Sequence, residues 1–435
     1  MTTKIWEKEK NLTPKWIEEF TSGEDRSLDL ELASYDVKGS LAHAEMLEKT
    51  KLISRQDFLL LQNELNNILA SIQKGQFKID AGVEDVHSQI ELLLTSKLGE
   101  TGKKIHTARS RNDQVLLDIK LYTKDQLRLT AIHVKKLFDL LLLKAEENKN
   151  ELLPGYTHLQ AAMPSSFGLW FGAYAESLSD DLEMTIAAFN MANRNPLGSG
   201  AGYGSSLPIN RSVTTELLGF ESMNYNVVYA QMTRGKTEKA AAIALAGIAA
   251  TLSKMAMDIC LYNSQNFNFI SFPDELTTGS SIMPHKKNPD VFELIRGKCN
   301  RMQSLPNELT LLMSNLPSGY HRDLQLTKEI IFPAFNELNA CLKAAVKMLE
   351  KIVISKNSLE DEKYKYIFSV EAVNELVLEG IPFREAYKAV GKSISTNSFK
   401  YKGKLHHTHE GSIGNLCLDE IKKEFEQKMK KLFTE

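Results

Sequence analysis

The stretch of residues 112–148 contains neither glycine nor proline, and no other feature of the sequence restricts the fold more strongly. Apolar side chains recur along it at helical spacing, including Val115, Ile119 and Leu127. At a rise of about 1.5 Å per residue, a helix of this length is a rod of about 55 Å. The sequence therefore predicts a fold organised around long helices.

Four further stretches carry the helical pattern and are interrupted only by isolated glycines or one proline. They are residues 165–193, 237–263, 289–313 and 324–354. The last contains Pro333, which should kink the helix or start a new segment. Together with the first stretch they predict an all-α fold built on an elongated five-helix bundle. Strand signals are scarce, and residues 225–229 are one short candidate.

Residues 240–256 are apolar on nearly every side and consist largely of alanine. Such a helix in a monomeric bundle would stay partly exposed, so burial by other subunits predicts a homo-oligomer with a shared helical core. A position at the centre of its own chain's bundle is the alternative. The most apolar part, residues 240–252, is too short and too weakly hydrophobic to span a bilayer.

Charge and cysteine content restrict the class of protein further. The 53 basic and 55 acidic side chains nearly cancel, so no basic field exists to gather nucleic acid or anionic lipid. The four cysteines are far apart and fit a reducing cytoplasm. Residues 1–8 lack the apolar core of a signal peptide. We therefore expect a cytoplasmic protein without nucleic-acid or membrane partners.

The length of 435 residues suggests about three domains. We expect an N-terminal helical domain over residues 1–105, a central helix-bundle domain over 106–355 and a small C-terminal helical domain over 356–435. Polar loops lie where the long helices start or stop. Because loops alternate between the ends of a bundle, loops of different subunits could converge on one site.

Two glycine-containing segments imitate nucleotide-binding loops. GSGAGYG at residues 198–204 has tyrosine where the third glycine of a dinucleotide loop belongs, and RGKT at 234–237 lacks the upstream glycine of a phosphate loop. The first is better read as flexible backbone near a ligand or as a plain interhelix turn. His406, His407 and His409 have no cysteine at ligand spacing, so a solvated loop is favoured there over a metal site.

The segment GSSIMPHKKNP, residues 279–289, concentrates groups that could act beside a carboxylate, and we call it the signature loop. Ser280 offers a hydroxyl and a main-chain N–H, and Lys286 places an ammonium nearby. Pro289 opens a helix whose N-terminus is a natural anion site. A hydroxyl whose deprotonation these groups favour suits proton abstraction next to a carboxylate. For two serines and two lysines alone, an ordinary polar loop would be the preferred reading.

The full string GSSxMPxKxNP resembles the signature of the fumarase/aspartase superfamily. Three more segments narrow the resemblance to the argininosuccinate lyase family: HTARSRNDQ at residues 106–114, GYTHLQ at 155–160 and YHRDLQLTK at 320–328. The resemblance implies all-α homotetramers whose five-helix bundles pack into a core of roughly 20 helices, with active sites shared between subunits. It also implies elimination from a succinyl unit with release of fumarate.

The resemblance implies catalytic roles for single residues. Ser280 resembles the serine that removes the succinyl proton. Lys286 and Asn288 resemble the groups that hold the substrate carboxylate and stabilise the negative charge built on it. His158 resembles the family histidine, as proton donor or relay, and Glu293 resembles the acid that orients it.

Further matched residues are implied to bind substrate. They are Ser110, Arg111, Asn112, Thr157, Asn288, Tyr320, Gln325 and Lys328. An arginine fork suits the fumarate-side carboxylate, and the last three residues resemble contacts to the arginine half. Gln325 and Lys328 share one helix face if the helix begins near Leu324. The implied reaction is cleavage of argininosuccinate to arginine and fumarate in arginine biosynthesis, without metal or organic cofactor.

Three places depart from the family pattern. Residues 21–29 do not show where the family's substrate-binding serine belongs. Gly235 replaces an acid after Arg234, and His285 stands where glutamine is common.

Two rival hypotheses stay open. One is another lyase of the superfamily, namely adenylosuccinate lyase, aspartase or fumarase, which the strings GYTHLQ and SRND disfavour. The other is a crystallin-like structural homologue without activity, against which the intact Ser280, Lys286 and His158 weigh.

Overall fold

The computed structural model describes residues 14–356 and 358–433, and most of them are helical. The N-terminal part contains α1 (Lys15–Ser22), α2 (Asp25–Leu28), α3 (Ala33–Lys49), α4 (Arg55–Gln73), α5 (Val86–Leu98) and α6 (Glu100–Lys103). Residues 1–8, where we expect no signal peptide, lie outside the described residues, as do both outer ends of the predicted three-domain division. That division stays a prediction.

The central part contains the long helices and their connections. Its helices are α7 (Arg111–Glu147), α8 (Phe167–Ala192), α9 (Arg211–Leu217), α10 (Val227–Met232), α11 (Lys236–Tyr262), α12 (Asp290–Met302), α13 (Leu305–Leu312) and α14 (Thr327–Leu349). The C-terminal part contains α15 (Ser369–Leu378), α16 (Phe383–Ser395) and α17 (Leu418–Phe433). The all-α prediction is confirmed.

The strands are short and pair in twos. They are β1 (Leu152–Thr157) with β2 (Gln160–Ser166), β3 (Arg194–Asn195) with β4 (Ser222–Met223), and β5 (Ile270–Ser271) with β6 (Val353–Ile354). The β1–β2 pair is an antiparallel hairpin between α7 and α8 that the sequence did not predict. These strands connect the helices and form no layer of their own.

The helices α7, α8, α11, α12 with α13, and α14 pack side by side into the predicted bundle. Successive long helices of the chain run in opposite directions. Near the start of α8, Trp170 donates to Asp258 late in α11 at 3.1 Å, and further along α8 the hydroxyl of Ser177 meets that of Thr251 at 2.9 Å. The chain therefore passes up and down the bundle.

The bundle consequently has two ends with different loops. α7, α11 and α14 begin at the near end, where the Thr327 hydroxyl donates to Glu238 at 3.2 Å. α8 and α12 begin at the far end, where the Phe167 N–H donates to the Glu151 carbonyl just beyond α7 at 2.9 Å. Because α7 has 37 residues, the two ends are separated by about 50 Å.

Helix α11 packs against α7, α8, α12, α13 and α14, so it lies at the centre of its own chain's bundle. That is the alternative position considered from the sequence. Ala250, Lys254 and Met257 nevertheless stay exposed and form one stripe along the helix. Within a single chain, α11 is covered on most of its sides and open on one.

Among the described residues, α11 is the helix long and apolar enough to cross a membrane, with a mean hydropathy of 1.6. The prediction that this segment is too short was wrong, because the helix continues beyond the alanine-rich stretch at both ends and reaches 27 residues. Just over half of its most apolar window, 56%, is buried against the rest of the chain. This burial is typical of the core helix of a bundle.

Two further sequence-based assignments were wrong. Residues 225–229 do not form a strand, because Asn226 accepts from the N–H groups of Val228 and Tyr229 at 2.9 Å each and caps α10. The stretch 289–313 is two helices, α12 and α13. Pro306 lies in the first turn of α13, where its missing N–H costs no helical hydrogen bond.

The last long stretch also differs from its prediction. A 3-10 turn, Arg322–Leu326, precedes α14, which begins only at Thr327 and ends at Leu349. Pro333 lies inside α14 and does not start a new segment.

Gly235 is predicted to tolerate no side chain. Its φ is 78°, and a Cβ would collide with Met313. Gly235→Ala should lower the free energy of unfolding by roughly 2–4 kcal/mol through backbone strain and overpacking. Gly391→Ala in α16, where a Cβ meets nothing within 4 Å, should be neutral or raise it by about 0.5–1 kcal/mol. Denaturant unfolding at matched protein concentration measures both, and equal stabilities would contradict the packing described here.

Candidate active site

A cavity of about 160 Å³ opens at the near end, where α5, α7 and α14 begin. Five of the predicted substrate-binding residues line it: Arg111, Asn112, Tyr320, Gln325 and Lys328. The rest of the lining was not in the predicted site and consists of Ser22, Asp25, Asp29, Glu84, Asp85, His87, Val115, Arg234 and Arg322. Small-molecule sites usually span roughly 300–1,000 Å³, so this cavity has the size of a partial site.

Arg111 is engaged by carboxylates of its own chain. Its guanidinium pairs with Glu84 and Asp85 at 2.9 Å each and donates to the Ser88 hydroxyl at 2.9 Å. Glu84 also accepts from Arg322 at 3.1 Å. The arginine that is predicted to bind a carboxylate is thus present. Within the single chain, its guanidinium N–H groups bind Glu84, Asp85 and Ser88 at the start of α5.

Lys328 is buried and pairs with two carboxylates, Asp25 at 2.7 Å and Asp29 at 2.5 Å. Gln325 lies in the 3-10 turn before α14, so it and Lys328 do not share an α-helical turn. Both side chains still reach the cavity. The wall that is predicted to bind the arginine half therefore holds one buried cation and two acids.

His87, which also lines the cavity, lies between two buried carboxylates. Its Nδ1 hydrogen-bonds to Asp36 and lies 3.6 Å from Asp118 Oδ2. Burial acts to lower the pKa of His87, but the charges of Asp36, Asp85 and Asp118 outweigh it and raise the pKa to about 9. His87 therefore carries a positive charge at neutral pH.

The two carboxylates beside His87 respond in opposite directions. Burial raises the pKa of Asp118 well above its ordinary value. For Asp36 burial acts in the same direction, but the charge on His87 and its hydrogen bond hold the pKa below the usual range. The ligand atoms of the three residues lie within 4.8 Å of one another, close enough for a metal ion. The nearby Arg109 guanidinium adds positive charge beside these three residues.

The start of α7 also organises the near end. Ser110 caps the helix, with its hydroxyl accepting from the Asn112 N–H at 3.2 Å, while Asp113 accepts from the Ser110 N–H at 2.9 Å. The second oxygen of Asp113 accepts from the N–H groups of Gly198 at 3.1 Å and Gly200 at 2.9 Å. The glycine-rich loop thus wraps a carboxylate of its own chain, as an interhelix turn.

Glu238 explains how the chain accommodates Gly235 in place of an acid. Arg234 pairs with Glu238 at 3.1 Å and donates to the Leu324 carbonyl at 3.0 Å. The Gly235 N–H donates to the same Glu238 carboxylate at 2.8 Å. Glu238, one helical turn on, thus supplies a negative partner for Arg234.

At the far end, His158 occupies the tip of the β1–β2 hairpin and is exposed. His158 and Leu159 form its two-residue turn, with φ of 53° and 57°. Left-handed backbone costs a residue with a side chain about 1–2 kcal/mol, and such strain concentrates at functional sites. Tyr156 anchors the hairpin through a 2.6 Å hydrogen bond between its hydroxyl and that of Tyr364.

The signature loop projects from the same end. It is closed at its base by Thr278 and Asn288, whose N–H donates to the Thr278 carbonyl at 2.9 Å. The Ser280 hydroxyl oxygen accepts from the N–H groups of Met283 at 3.2 Å and Ile282 at 3.4 Å. Two donors on this oxygen stabilise negative charge there, as a serine base requires.

The predicted site residues thus fall into two groups. The near-end group is Ser110, Arg111, Asn112, Tyr320, Gln325 and Lys328. The far-end group is Thr157, His158, Ser280, Lys286, Asn288 and Glu293. Glu293 and His158 are both exposed, and no hydrogen bond joins them within residues 14–356 and 358–433. A single chain keeps the two groups about 50 Å apart.

The acids of the cavity and His87 were missing from the predicted site. The string EDVH at residues 84–87 offered a signal, because Asp85 directly precedes a helix and caps it by accepting from the Ser88 N–H at 2.8 Å. For Asp25 and Asp29 the sequence offered none, since their partner Lys328 lies about 300 residues away.

Comparison with known proteins identifies the family. A family model described as "Lyase" matches residues 8–304. The argininosuccinate lyase of Bacteroides thetaiotaomicron is 60% identical over 421 residues, which cover 97% of this chain and 94% of that protein. The chain belongs to the argininosuccinate lyase family. A more distant member from Thermotoga neapolitana is 38% identical over 90% of this chain and 98% of its own length.

Solved structures support the fold of this argininosuccinate lyase family member. An EDDS lyase in complex with formate has a TM-score of 0.77 at 20% identity and covers 97% of this chain and 91% of its own. A class II fumarase from Schistosoma mansoni has a TM-score of 0.72 at 16% identity, with coverages of 95% and 92%. At these identities the likeness concerns the all-α fold alone.

The charged state of His87 predicts a pH-dependent stability. Because its pKa of about 9 in the folded chain exceeds the ordinary 6.5, the contribution is complete below pH 6.5 and is lost as the pH rises through 9. Its size is on the order of 3 kcal/mol. Between pH 6.5 and 9.5, the wild type should therefore lose stability relative to His87→Asn. Denaturant unfolding across this range measures the difference, and a constant difference would show that His87 is not charged in the folded state.

Proposed function

We propose that this chain is an argininosuccinate lyase, a carbon–nitrogen lyase that reversibly cleaves argininosuccinate to L-arginine and fumarate in arginine biosynthesis. The observation that carries the proposal is 60% identity to an argininosuccinate lyase over 97% of the chain. The two groups of polar residues at the bundle ends supply the chemistry that this reaction needs.

Ser280 is the proposed base. Its hydroxyl oxygen accepts two backbone N–H donors, which stabilise the alkoxide, and Lys286 adds positive charge on the same loop. The alkoxide removes a proton from the CH2 group of the succinyl unit. The electron pair moves into the adjacent carboxylate, whose added negative charge Lys286 and Asn288 stabilise.

Cleavage of the C–N bond completes the elimination. The electron pair that moved into the carboxylate returns and forms the C=C bond of fumarate. The electron pair of the C–N bond leaves with the guanidino nitrogen. That group takes up one proton and becomes the guanidinium of arginine. His158, held outward on its strained turn, is proposed as the proton donor or relay, and Glu293 as the acid that orients it.

Substrate binding is proposed for residues of both groups. Asn112, with Ser110, Arg111 and Thr157, serves the fumarate side. Tyr320, Gln325 and Lys328 serve the arginine half, and all three line the near-end cavity. Arg111 also fixes the position of two cavity acids, because its guanidinium pairs with both Glu84 and Asp85.

We further propose a homotetramer in which each active site combines the near end of one chain with the far ends of others. Two observations support this arrangement. The two groups lie about 50 Å apart in one chain, and α11 leaves a stripe exposed along the bundle. Ser280 and His158 are proposed to come from different subunits. Neither a metal nor an organic cofactor has a part in the reaction.

A cytoplasmic location is proposed for the enzyme. All four cysteines are free thiols, as a reducing compartment favours. The near-neutral charge balance gives no reason to propose a nucleic-acid or membrane partner.

The proposed activity has a direct assay. Purified protein should raise the ultraviolet absorbance of fumarate with argininosuccinate and not with adenylosuccinate, aspartate or malate. Turnover of one of the other three compounds alone would replace this assignment with another lyase. Inactivity towards all four in a folded oligomer would favour the structural-homologue hypothesis.

Ser280→Ala should lower kcat by at least 1,000-fold, on the order expected for loss of the base, while argininosuccinate still binds. His285→Gln in the same loop is the matched control and should keep near-normal turnover. Fumarate release measures kcat, and calorimetric titration of the alanine variant measures binding. Near-normal turnover by Ser280→Ala would exclude Ser280 as the base.

A further inference from the structure

The following inference deepens the proposed function and rests on it. The arginine half of argininosuccinate ends in one carbon that carries both a carboxylate and an ammonium group. A site that recognises this end needs a cation and an anion close together, because the two charges of the ligand are neighbours. Several such pairs line the near-end cavity, and one of them includes the cation that is proposed to bind the arginine half.

That pair is Lys328 and Asp25. The Lys328 ammonium, proposed to face the ligand carboxylate, lies 2.7 Å from Asp25 Oδ1. Asp25 is part of the cavity lining and comes from the N-terminal segment, where the sequence showed no substrate-binding serine. An ammonium group next to a carboxylate bound at Lys328 would therefore meet the Asp25 carboxylate.

The other three acids of the cavity, Asp29, Glu84 and Asp85, are bound by groups of the same chain. Each of them has two partners within the chain, whereas the one ion pair of Asp25 among the described residues is with Lys328. The partners are Arg111 and Arg322 for Glu84, Arg111 and the Ser88 N–H for Asp85, and Lys328 and the Val86 N–H for Asp29. Asp25 has the most capacity left for a ligand.

The electrostatic state of Asp25 favours binding of a further positive charge. Burial raises its pKa to about 6, although Lys328 acts in the opposite direction. A carboxylate that is incompletely compensated by its own chain is stabilised by an added positive charge.

We propose that Asp25 binds the α-ammonium group of the arginine half and thereby restricts the enzyme to guanidines that are α-amino acids. Lys328 and Asp25 then form a zwitterion-binding pair, in which each recognises one charge of the ligand.

The reverse reaction tests this role, because fumarate can be offered with different guanidines. Arginine has both groups, 5-guanidinopentanoate lacks the amino group, and agmatine lacks the carboxylate. Loss of fumarate absorbance gives kcat/KM for each in the wild type, Asp25→Asn and Asp25→Glu. Glu24→Gln, an exposed neighbour, is the matched control.

Asp25→Asn should lower the preference for arginine over 5-guanidinopentanoate by roughly 10- to 100-fold, the value of one charged hydrogen bond, mainly through KM. The preference for arginine over agmatine should stay unchanged, since both carry the amine. Asp25→Glu should keep part of the first preference, and it provides a charged variant if the asparagine variant folds poorly. Glu24→Gln should match the wild type.

Two results would overturn the inference. An unchanged preference over 5-guanidinopentanoate would show that Asp25 does not contact the ammonium group. A fall in the preference over agmatine instead would show that Asp25 only positions Lys328. If the wild type joins no guanidine to fumarate and cleaves no argininosuccinate, the proposed function itself fails, which is a separate result.

Discussion

The length of α7 is the constraint on which the rest of the structure depends. A continuous helix of 37 residues fixes two loop clusters about 50 Å apart, and the successive helices of the bundle alternate in direction. Each loop of the chain is therefore assigned to one end or the other. The signature loop and the His158 hairpin share the far end, whereas the cavity with Tyr320, Gln325 and Lys328 lies at the near end. A reaction that needs all of them requires more than one copy of the chain.

The near end is held together by compensating charges. Glu84 joins Arg111 to Arg322, Lys328 joins Asp25 to Asp29, and the buried His87 lies beside Asp36. The Lys328–Asp29 and His87–Asp36 pairs are buried, and breaking one member of such a pair typically costs 3–5 kcal/mol because it leaves the other charge unpaired. These pairs fasten the N-terminal segment, α5 and α14 to one another around the cavity. The residues proposed to bind substrate are thereby preorganised.

The far end is built differently. Its proposed catalytic side chains lie on a hairpin and a loop, with His158 and Lys286 exposed and Ser280 half-buried, and the local backbone holds them in place. His158 is presented by a turn with two left-handed residues, and Ser280 is fixed by N–H donors from Ile282 and Met283. Such a rigid, exposed group is suited to enter a cavity on another molecule.

The sequence predicts the long helices well because periodic apolar residues over 20 to 37 positions leave little choice of structure. The sequence-based prediction fails where a few polar contacts determine the local structure. Asn226 caps a helix that a hydrophobic pattern alone reads as a strand, and the turn at His158 lacks the Asn-Gly signal of such hairpins. The motifs supplied five of the fourteen residues that line the cavity, but the pairing of Asp25 with Lys328 is a long-range contact that local pattern does not reveal.

Mixed oligomers test the central claim, that one active site combines near-end and far-end residues of different chains. Ser280→Ala and Asn112→Ala should each be inactive alone. Coexpressed in equal amounts, they should regain up to about one quarter of wild-type activity, because that fraction of sites combines two unmodified ends. Ser280→Ala with Lys286→Ala should stay inactive, since both residues belong to one loop. If the first mixture is as inactive as its components, both ends of one chain must serve the same site and the account is wrong.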